Sequence, residues 1–135
     1  MKKIEVIIEK SKEGGYGIYA PSAPGILGFG LTEEEAKESL QDALESAIEE
    51  YEERSLELPE WLGDGNVEFE YRYDFSGFFQ SFPFFNVTQF AKAVGINPSL
   101  MRKYKEGLAF ASEKQKALIQ SKFTELLQQM SAVQF

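Results

Sequence analysis

Apolar and polar residues alternate with a period of two in parts of the first half of the chain. Residues 3–9 place Ile4, Val6 and Ile8 on one side and charged residues on the other. This alternation, with β-branched residues on the apolar side, is typical of a strand with one buried face. Residues 67–75 show the most regular alternation of apolar and charged residues in the chain. Both segments are therefore predicted to be strands.

Two shorter strands are predicted between them. Residues 13–15 read Glu-Gly-Gly, which favours a turn because glycine adopts positive φ angles without penalty. Residues 16–20 then form the partner strand of a hairpin, and residues 26–31 form a third short strand that contains Gly28 and Gly30.

A long amphipathic helix is predicted after the third strand. Thr32 and Glu35 have the spacing of a capping box, in which each side chain bonds the other residue's backbone N–H. Apolar residues then recur at helical spacing as far as Tyr51, and the helix is expected to end by Arg54, before Pro59. The order β-β-β-α-β predicts an α+β domain with one helix covering a small sheet.

The second half of the chain has helical periodicity. Phe90 and Val94 lie four residues apart, on the inner face of a first helix. Gly95 supplies the left-handed conformation that ends this helix. Asn97 is predicted to cap a second helix, and Pro98 takes its first position, where a missing N–H has no cost. The pattern predicts two short helices joined by a tight turn, with Ala91, Ile96, Met101 and Tyr104 packed inside.

A third helix is predicted after Gly107. Ser112 and Gln115 form a second capping box, and an apolar stripe follows. The stripe consists of Ile119, Phe123, Leu126, Leu127 and Met130. This helix is expected to close a small helical core, with dimerisation as the alternative.

An aromatic segment separates the two patterns. Seven of the twelve phenylalanines fall between Phe75 and Phe90, and a flexible linker would be polar. Three parts are therefore predicted: an acidic α+β domain over residues 1–75, an aromatic-rich connector over 76–86 and a helical domain over 87–135. The connector is expected to be a short helix or hinge that docks on the second domain, or a source of dimer contacts.

Composition excludes several kinds of chemistry. The 135 residues include no cysteine and no histidine. Thiol nucleophiles, cysteine-ligated metals, Ser-His-Asp catalysis and imidazole bases are therefore excluded. No cofactor is expected. Clustered carboxylates leave a metal-dependent nuclease as a minor alternative, but metal sites need carboxylates that converge from several elements. These acidic residues follow one helix surface and one strand face, so no metal site and no enzyme activity are predicted.

The net charge of −8 is unevenly distributed. Residues 1–75 carry seven basic and 19 acidic side chains, a net of −12, whereas residues 76–135 carry seven basic and three acidic ones, a net of +4. Such asymmetry indicates two parts with different partners. The acidic part suits a basic protein and the basic part suits nucleic acid. No apolar run is long enough to span a membrane, the N-terminus does not have the pattern of a signal peptide, and a cytoplasmic location is expected.

Residues 87–106 resemble the helix-turn-helix of phage repressors. In that fold the second helix enters the major groove and its N-terminal half contacts base edges. Outward Arg and Lys side chains contact guanine and phosphates. The predicted DNA-binding residues are Thr88, Lys92, Asn97, Ser99, Arg102, Lys103 and Lys105. A plain helical hairpin with a solvated basic face is the alternative.

Together the two halves resemble the HicB family, the antitoxins of type II HicAB toxin–antitoxin operons. The resemblance is carried by residues 15–21, 28–36, 78–79 and 95–107, the last stretch being the most specific. HicB-like domains often have Gly-Asp-Thr before the helix, where this chain has Gly30-Leu31-Thr32. The resemblance implies a degenerate ribonuclease-H-like fold without catalysis. It also implies binding to a small, basic, RNA-cleaving HicA toxin, and repression of the shared operon as a dimer or tetramer on double-stranded operator DNA.

The leading hypothesis is therefore an antitoxin that neutralises its toxin and represses its own operon. The predicted toxin-binding residues are Glu49, Glu50, Glu53, Glu68, Glu70 and Asp74. The alternative is a stand-alone helix-turn-helix regulator whose N-terminal domain senses a ligand or dimerises.

Overall fold

The structure, a computed structural model, describes all residues from 1 to 135. The chain forms two compact units, Met1–Ser81 and Phe82–Phe135. Residues 76–81 carry no charged side chain. The first unit therefore keeps the net charge of −12 and the second unit keeps +4. None of the helices combines the length and the apolar character needed to cross a membrane.

The first unit is a four-stranded mixed sheet with two α-helices, which confirms the α+β class. Its elements are β1 (Lys2–Lys10), β2 (Tyr16–Tyr19), β3 (Leu27–Gly30), α1 (Glu33–Glu53), β4 (Val67–Tyr73) and α2 (Phe75–Ser81). The strand order is β3-β2-β1-β4. Strand β1 is antiparallel to β2 and parallel to β4, and β2 is antiparallel to β3.

Helix α1 lies directly against β3 because two glycines leave room for it. A Cβ atom at Gly28 would meet the carbonyl oxygen of Ala36 and lie 2.8 Å from the Cβ of Leu40, and one at Gly30 would meet the backbone of Ala36. The core between helix and sheet is formed by Ile4, Val6, Ile8, Ile18, Ala20, Ala23, Ile26, Ala36 and Leu40. The alternation predicted for β1 therefore places the expected residues inside.

The start of α1 differs in one detail from the predicted capping box. The hydroxyl of Thr32 accepts a hydrogen bond from the N–H of Glu35 at 3.1 Å. The carboxylate of Glu35, however, accepts from the N–H of Leu31 at 3.0 Å, not from that of Thr32. The helix ends at Glu53 with Arg54 as its C-cap, as expected from the sequence.

The N-terminal order contains two elements beyond the predicted β-β-β-α-β. A single 3₁₀ turn, Glu60–Leu62, lies between α1 and β4, and its Trp61 packs against the edge of the core. Strand β4 ends at Tyr73, so Phe75 begins a helix and does not continue the strand. The hydroxyl of Ser76 in α2 accepts a hydrogen bond from the N–H of Lys10 at 3.1 Å. Helix α2 thus belongs to the first unit, and the aromatic segment is divided between the two units.

The second unit consists of three helices, α3 (Val87–Val94), α4 (Pro98–Glu106) and α5 (Glu113–Ser131). Gly95 ends α3 in the left-handed conformation with φ 78°, as its position after the apolar pattern predicts. The buried residues are Phe90, Ala91, Val94, Ile96, Met101, Tyr104 and Ile119. All of them were predicted to face inward.

Helix α5 closes this core only with its first half. Ile119 is buried, whereas the side chains of Leu127 and Met130 are 45% and 55% exposed. The rings of Phe123 and Phe90 lie 6.1 Å apart and border an apolar groove of about 260 Å³. The N-terminal half of α5 therefore closes the core as expected, whereas the apolar residues of its C-terminal half remain exposed.

Candidate nucleic-acid interface and partner surface

The side chain of Arg102 is held on the exposed side of α4 by two hydroxyl groups. Its Nη1 donates a hydrogen bond to Oγ1 of Thr88 in α3, and its Nη2 donates to Oγ of Ser99 in α4, both at 3.2 Å. Three of the seven predicted DNA-binding residues therefore meet at one place.

Two asparagine caps position these hydroxyl groups. Oδ1 of Asn86 accepts from the N–H of Gln89 at 2.9 Å at the start of α3. Oδ1 of Asn97 accepts from the N–H of Ser99 at 2.8 Å at the start of α4. Thr88 and Ser99 thus lie in the first turns of consecutive helices. Asn97, which was predicted to contact DNA, uses its side-chain oxygen as a helix cap.

The three predicted lysines lie at the other ends of these helices. Lys92 is exposed in the last turn of α3, and Lys103 and Lys105 are exposed in the last turn of α4. No hydrogen bond joins them to Thr88, Ser99 or Arg102. By contrast, Lys116 and Lys122 on α5 form ion pairs with Glu113 and Glu125 at 3.1 and 3.8 Å.

This arrangement has the chemistry of a base-reading site. A guanidinium group carries five donors in a planar fork and suits the two acceptors on the major-groove edge of guanine. Holding Arg102 between two hydroxyl groups restricts its rotamers before binding, which lowers the entropy that complex formation costs. The exposed lysines of α3 and α4 add charge that is attracted to phosphates.

The six predicted toxin-binding residues do not form one surface. Glu49, Glu50 and Glu53 are exposed on α1, which covers one face of the sheet. Successive side chains of a strand point to opposite faces, so Glu68 and Glu70 of β4 lie on the other face, opposite the face packed by α1. The two groups of acidic residues are therefore separated by the sheet.

The sheet face opposite α1, called the open face below, is part apolar and part charged, and Ile7 at its centre is buried. The register aligns Leu27, Tyr19, Ile7 and Arg72 in one row across it. The side chains of Leu27 and of its neighbour Phe29 are 60% and 48% exposed. Sequence reasoning missed these two residues, although the alternation of Leu27 and Phe29 with inward-facing Gly28 and Gly30 contains the signal.

The charged side of the open face carries both signs. Arg72 Nε lies 3.3 Å from Oε1 of Glu5, and Lys3 Nζ lies 3.8 Å from Oε1 of Glu70. The side chains in these pairs are largely exposed, so each pair contributes little to stability. They set the charge pattern of the surface instead.

Two carboxylates approach each other at the end of this face. Burial and the nearby charge of Asp74 raise the pKa of Glu9. Burial, with the charges of Glu9 and Asp74, also raises the pKa of the Tyr19 hydroxyl. Asp74 itself accepts a hydrogen bond from the Ser76 hydroxyl at 2.6 Å, which joins β4 to α2. A cationic side chain from a partner would relieve the repulsion between Glu9 and Asp74.

A second polar cluster joins α1, β4 and α2 on the helix-covered face. Glu33 accepts hydrogen bonds from the hydroxyls of Tyr73 and Ser81 and lies 3.2 Å from Lys37 Nζ. Burial acts to raise the pKa of Glu33, but these hydrogen bonds and the charge of Lys37 outweigh it and hold the pKa below the ordinary value. Burial and the bond to Glu33 raise the pKa of Tyr73. The cluster therefore holds Glu33 ionised and Tyr73 protonated, as a structural link.

No group of three or more carboxylates converges closely enough to hold a metal ion. Compared with models of protein families, with curated proteins and with solved structures, the chain has no match.

Proposed function

We propose that the chain is an antitoxin of the HicB type, with a C-terminal unit that binds operator DNA and an N-terminal unit that binds a small, basic, RNA-cleaving toxin. The observation that carries the proposal is the position of Arg102, fixed between Thr88 and Ser99 on the exposed side of α4. It lies in a unit of net charge +4. The proposal assigns no catalytic step to the chain.

In the proposed complex with DNA, α4 is the recognition helix of a helix-turn-helix. Its N-terminal half enters the major groove, where Arg102 bonds the edge of a guanine and Ser99 contacts a neighbouring base. Lys92, Lys103 and Lys105 contact phosphates and supply affinity without sequence preference. A second copy of the chain would contact a second half-site, about 34 Å away on a palindromic operator.

The DNA part is tested with a duplex from the region upstream of the coding sequence. Arg102→Ala should weaken binding to this duplex about 10- to 100-fold and leave binding to unrelated DNA nearly unchanged, since a guanine contact contributes about 1–3 kcal/mol of discrimination. Lys103→Ala should weaken binding to both duplexes and lower the slope of log K against log salt by about one. Lys116→Ala, on α5, is the matched control. Equal effects of all three variants would contradict the proposed recognition helix.

The open sheet face is the proposed site for the toxin. It combines exposed apolar residues, Leu27 and Phe29, with the carboxylates of Glu9, Glu68, Glu70 and Asp74. A basic partner would gain from charge steering during the encounter and from apolar burial in the complex. The acidic residues of α1, Glu49, Glu50 and Glu53, lie on the other side of the sheet and are proposed only to steer the encounter.

Co-expression with the product of the adjoining reading frame tests this part. The two proteins should co-purify, and the complex should not cleave RNA. Phe29→Asp, which adds charge to the apolar part of the face, should restore RNA cleavage. Glu49→Lys combined with Glu53→Lys should slow association without abolishing the complex. If no partner binds while DNA binding persists, the chain is a stand-alone regulator.

A further inference from the structure

The two edges of the sheet differ in whether side chains hydrogen-bond their outer backbone groups. Along the β3 edge, the N–H of Phe29 donates to the hydroxyl of Ser39 at 3.1 Å and the N–H of Leu31 donates to the carboxylate of Glu35 at 3.0 Å. Both acceptors are side chains of α1, so this edge is closed to another strand. An uncovered edge is a template for strand pairing. At the other edge, no side chain hydrogen-bonds the backbone of residues 67–72 of β4 in this way.

The backbone of β4 presents alternate residues to this free edge. The N–H of Asp74 donates to the carbonyl oxygen of Ile8 at 2.9 Å, and the carbonyl oxygen of Asn66 accepts from the N–H of Lys2 at 2.8 Å. The backbone N–H and C=O groups of the even-numbered residues of β4 therefore point toward β1. Val67, Phe69 and Tyr71 therefore direct their N–H and C=O groups away from β1, toward the outer side of the strand.

The side chains of β4 are complementary to a second copy of the same strand. In an antiparallel pair centred on Glu70, Glu68 lies opposite Arg72 of the second copy, and Arg72 lies opposite Glu68. Phe69 then faces Tyr71, and Val67 faces Tyr73. Opposite charges and aromatic pairs in these positions each contribute about 0.2–1 kcal/mol.

The charged residues of β4 favour this register over a shift by two residues in either direction. A shift that centres the pair on Phe69 sets Glu68 against Glu70. One that centres it on Tyr71 sets Glu70 against Arg72 but also Glu68 against Asp74, so the like-charge contacts offset the opposite-charge ones. The one like-charge contact in the favoured register is Glu70 against Glu70, and each Glu70 lies 3.8 Å from a Lys3 ammonium.

We propose that β4 is a dimerisation edge, at which two copies of the chain join their sheets into one continuous eight-stranded sheet through antiparallel β4 pairing centred on Glu70. The association needs neither DNA nor a toxin, so it does not depend on the function proposed above. Arg72 already contacts Glu5 through Nε, and its two terminal NH₂ groups supply the donors for Glu68 of the second copy.

Charge-reversal variants of the full-length chain test the register. Sedimentation equilibrium should show a dimer for the unmodified chain. Glu68→Arg and Arg72→Glu should each weaken the dimer at least about tenfold, because each sets like charges opposite one another twice. Mixing the two variants should restore a heterodimer, in which both cross-strand contacts again join opposite charges. Glu13→Arg, in the β1–β2 turn, is the matched control and should associate like the unmodified chain.

A single cysteine reports the position of the two-fold axis. The chain has no cysteine, and directly opposed residues of a non-hydrogen-bonded antiparallel pair have Cα atoms about 4.5 Å apart, within disulfide range. Under mild oxidation, Glu70→Cys should form a covalent dimer far faster than Glu13→Cys. Equal rates for the two, a monomeric chain, or a dimer unaffected by Glu68→Arg would overturn the proposal.

Discussion

The guanidinium group of Arg102 and the hydroxyl of Thr88 are joined by a hydrogen bond of 3.2 Å, across 14 positions of sequence. Thr88 lies in the first turn of α3 and Arg102 lies in the middle of α4. The orientation of the arginine proposed to read DNA therefore depends on how the two helices pack. Thr88 is therefore a positioning residue for the arginine that is proposed to contact DNA.

Removing this hydroxyl should weaken DNA binding and leave the fold intact. Thr88→Val keeps the shape of the side chain and loses one hydrogen bond, a change of about 1 kcal/mol or roughly fivefold in affinity. Binding to the upstream duplex, measured by fluorescence anisotropy, checks the change. Thr88→Ser retains the hydroxyl and should bind as the unmodified chain does. Wild-type affinity in Thr88→Val would show that Arg102 does not need this contact.

The close approach of α1 to β3 should make Gly28 intolerant of a side chain. In Gly28→Ala the new Cβ meets the backbone of Ala36 and the Cβ of Leu40, and we expect a loss of about 2 kcal/mol or more in the free energy of unfolding. Urea denaturation followed by the fluorescence of Trp61, the single tryptophan, measures it.

Gly17 supplies the matched control for this variant. A Cβ there would meet only the Glu9 side chain, at an ordinary distance of 3.7 Å. Gly17→Ala should therefore change the free energy of unfolding by less than about 0.5 kcal/mol. Equal losses in the two variants would mean that α1 does not lie against β3 as described.

The contact between Glu33 and Tyr73 should make stability depend on acid pH. The folded state holds the pKa of Glu33 below its ordinary value of 4.5. Its contribution is thus fully present above the ordinary value and is lost as the pH falls through the folded value. At pH 7, Tyr73→Phe should lower the free energy of unfolding by about 1 kcal/mol, and this difference should shrink toward pH 3.

Urea denaturation at a series of pH values measures the difference. Tyr71→Phe, on the same strand, removes a hydroxyl that makes no contact with Glu33 and serves as the control. A difference between Tyr73→Phe and the unmodified chain that stays constant with pH would contradict the assigned partner of Glu33.

The turn between α3 and α4 should depend on the backbone of Gly95. Its φ of 78° is left-handed, and nothing lies within 4 Å of the position of a Cβ atom. The cost of Gly95→Ala is therefore conformational alone, about 1 kcal/mol. Gly95→Asn should cost less, because asparagine adopts this conformation more readily. Far-UV circular dichroism during thermal unfolding is the measurement, and an alanine variant as stable as the asparagine variant would contradict this account.

Features set by neighbouring residues could be predicted from the sequence. The caps at Thr32, Asn97 and Ser112 and the left-handed end at Gly95 are all found where the pattern places them. Each depends on hydrogen bonds or dihedral angles within a few residues, so the local sequence is sufficient to specify it. The same reason explains why the inward positions of α3 and α4 were predicted without error.

Features set by pairing between distant residues could not be predicted in this way. The acidic residues of α1 and β4 were predicted as one set of toxin-binding residues, but Glu68 and Glu70 lie on the sheet face away from α1. The sequence also does not show how far along α5 the apolar stripe is covered, because that depends on which helices pack against it.

By itself, the sequence determined the α+β class, the short helices with their caps, and the division of charge between an acidic and a basic part. Only the tertiary structure decided that β3 is a closed edge and β4 an open one, and that Thr88 and Ser99 hold Arg102. Periodicity and capping are short-range and are read from a few adjacent residues. Which strand lies at an edge, and which side chains meet across a turn, depend on contacts between segments that are far apart in the chain.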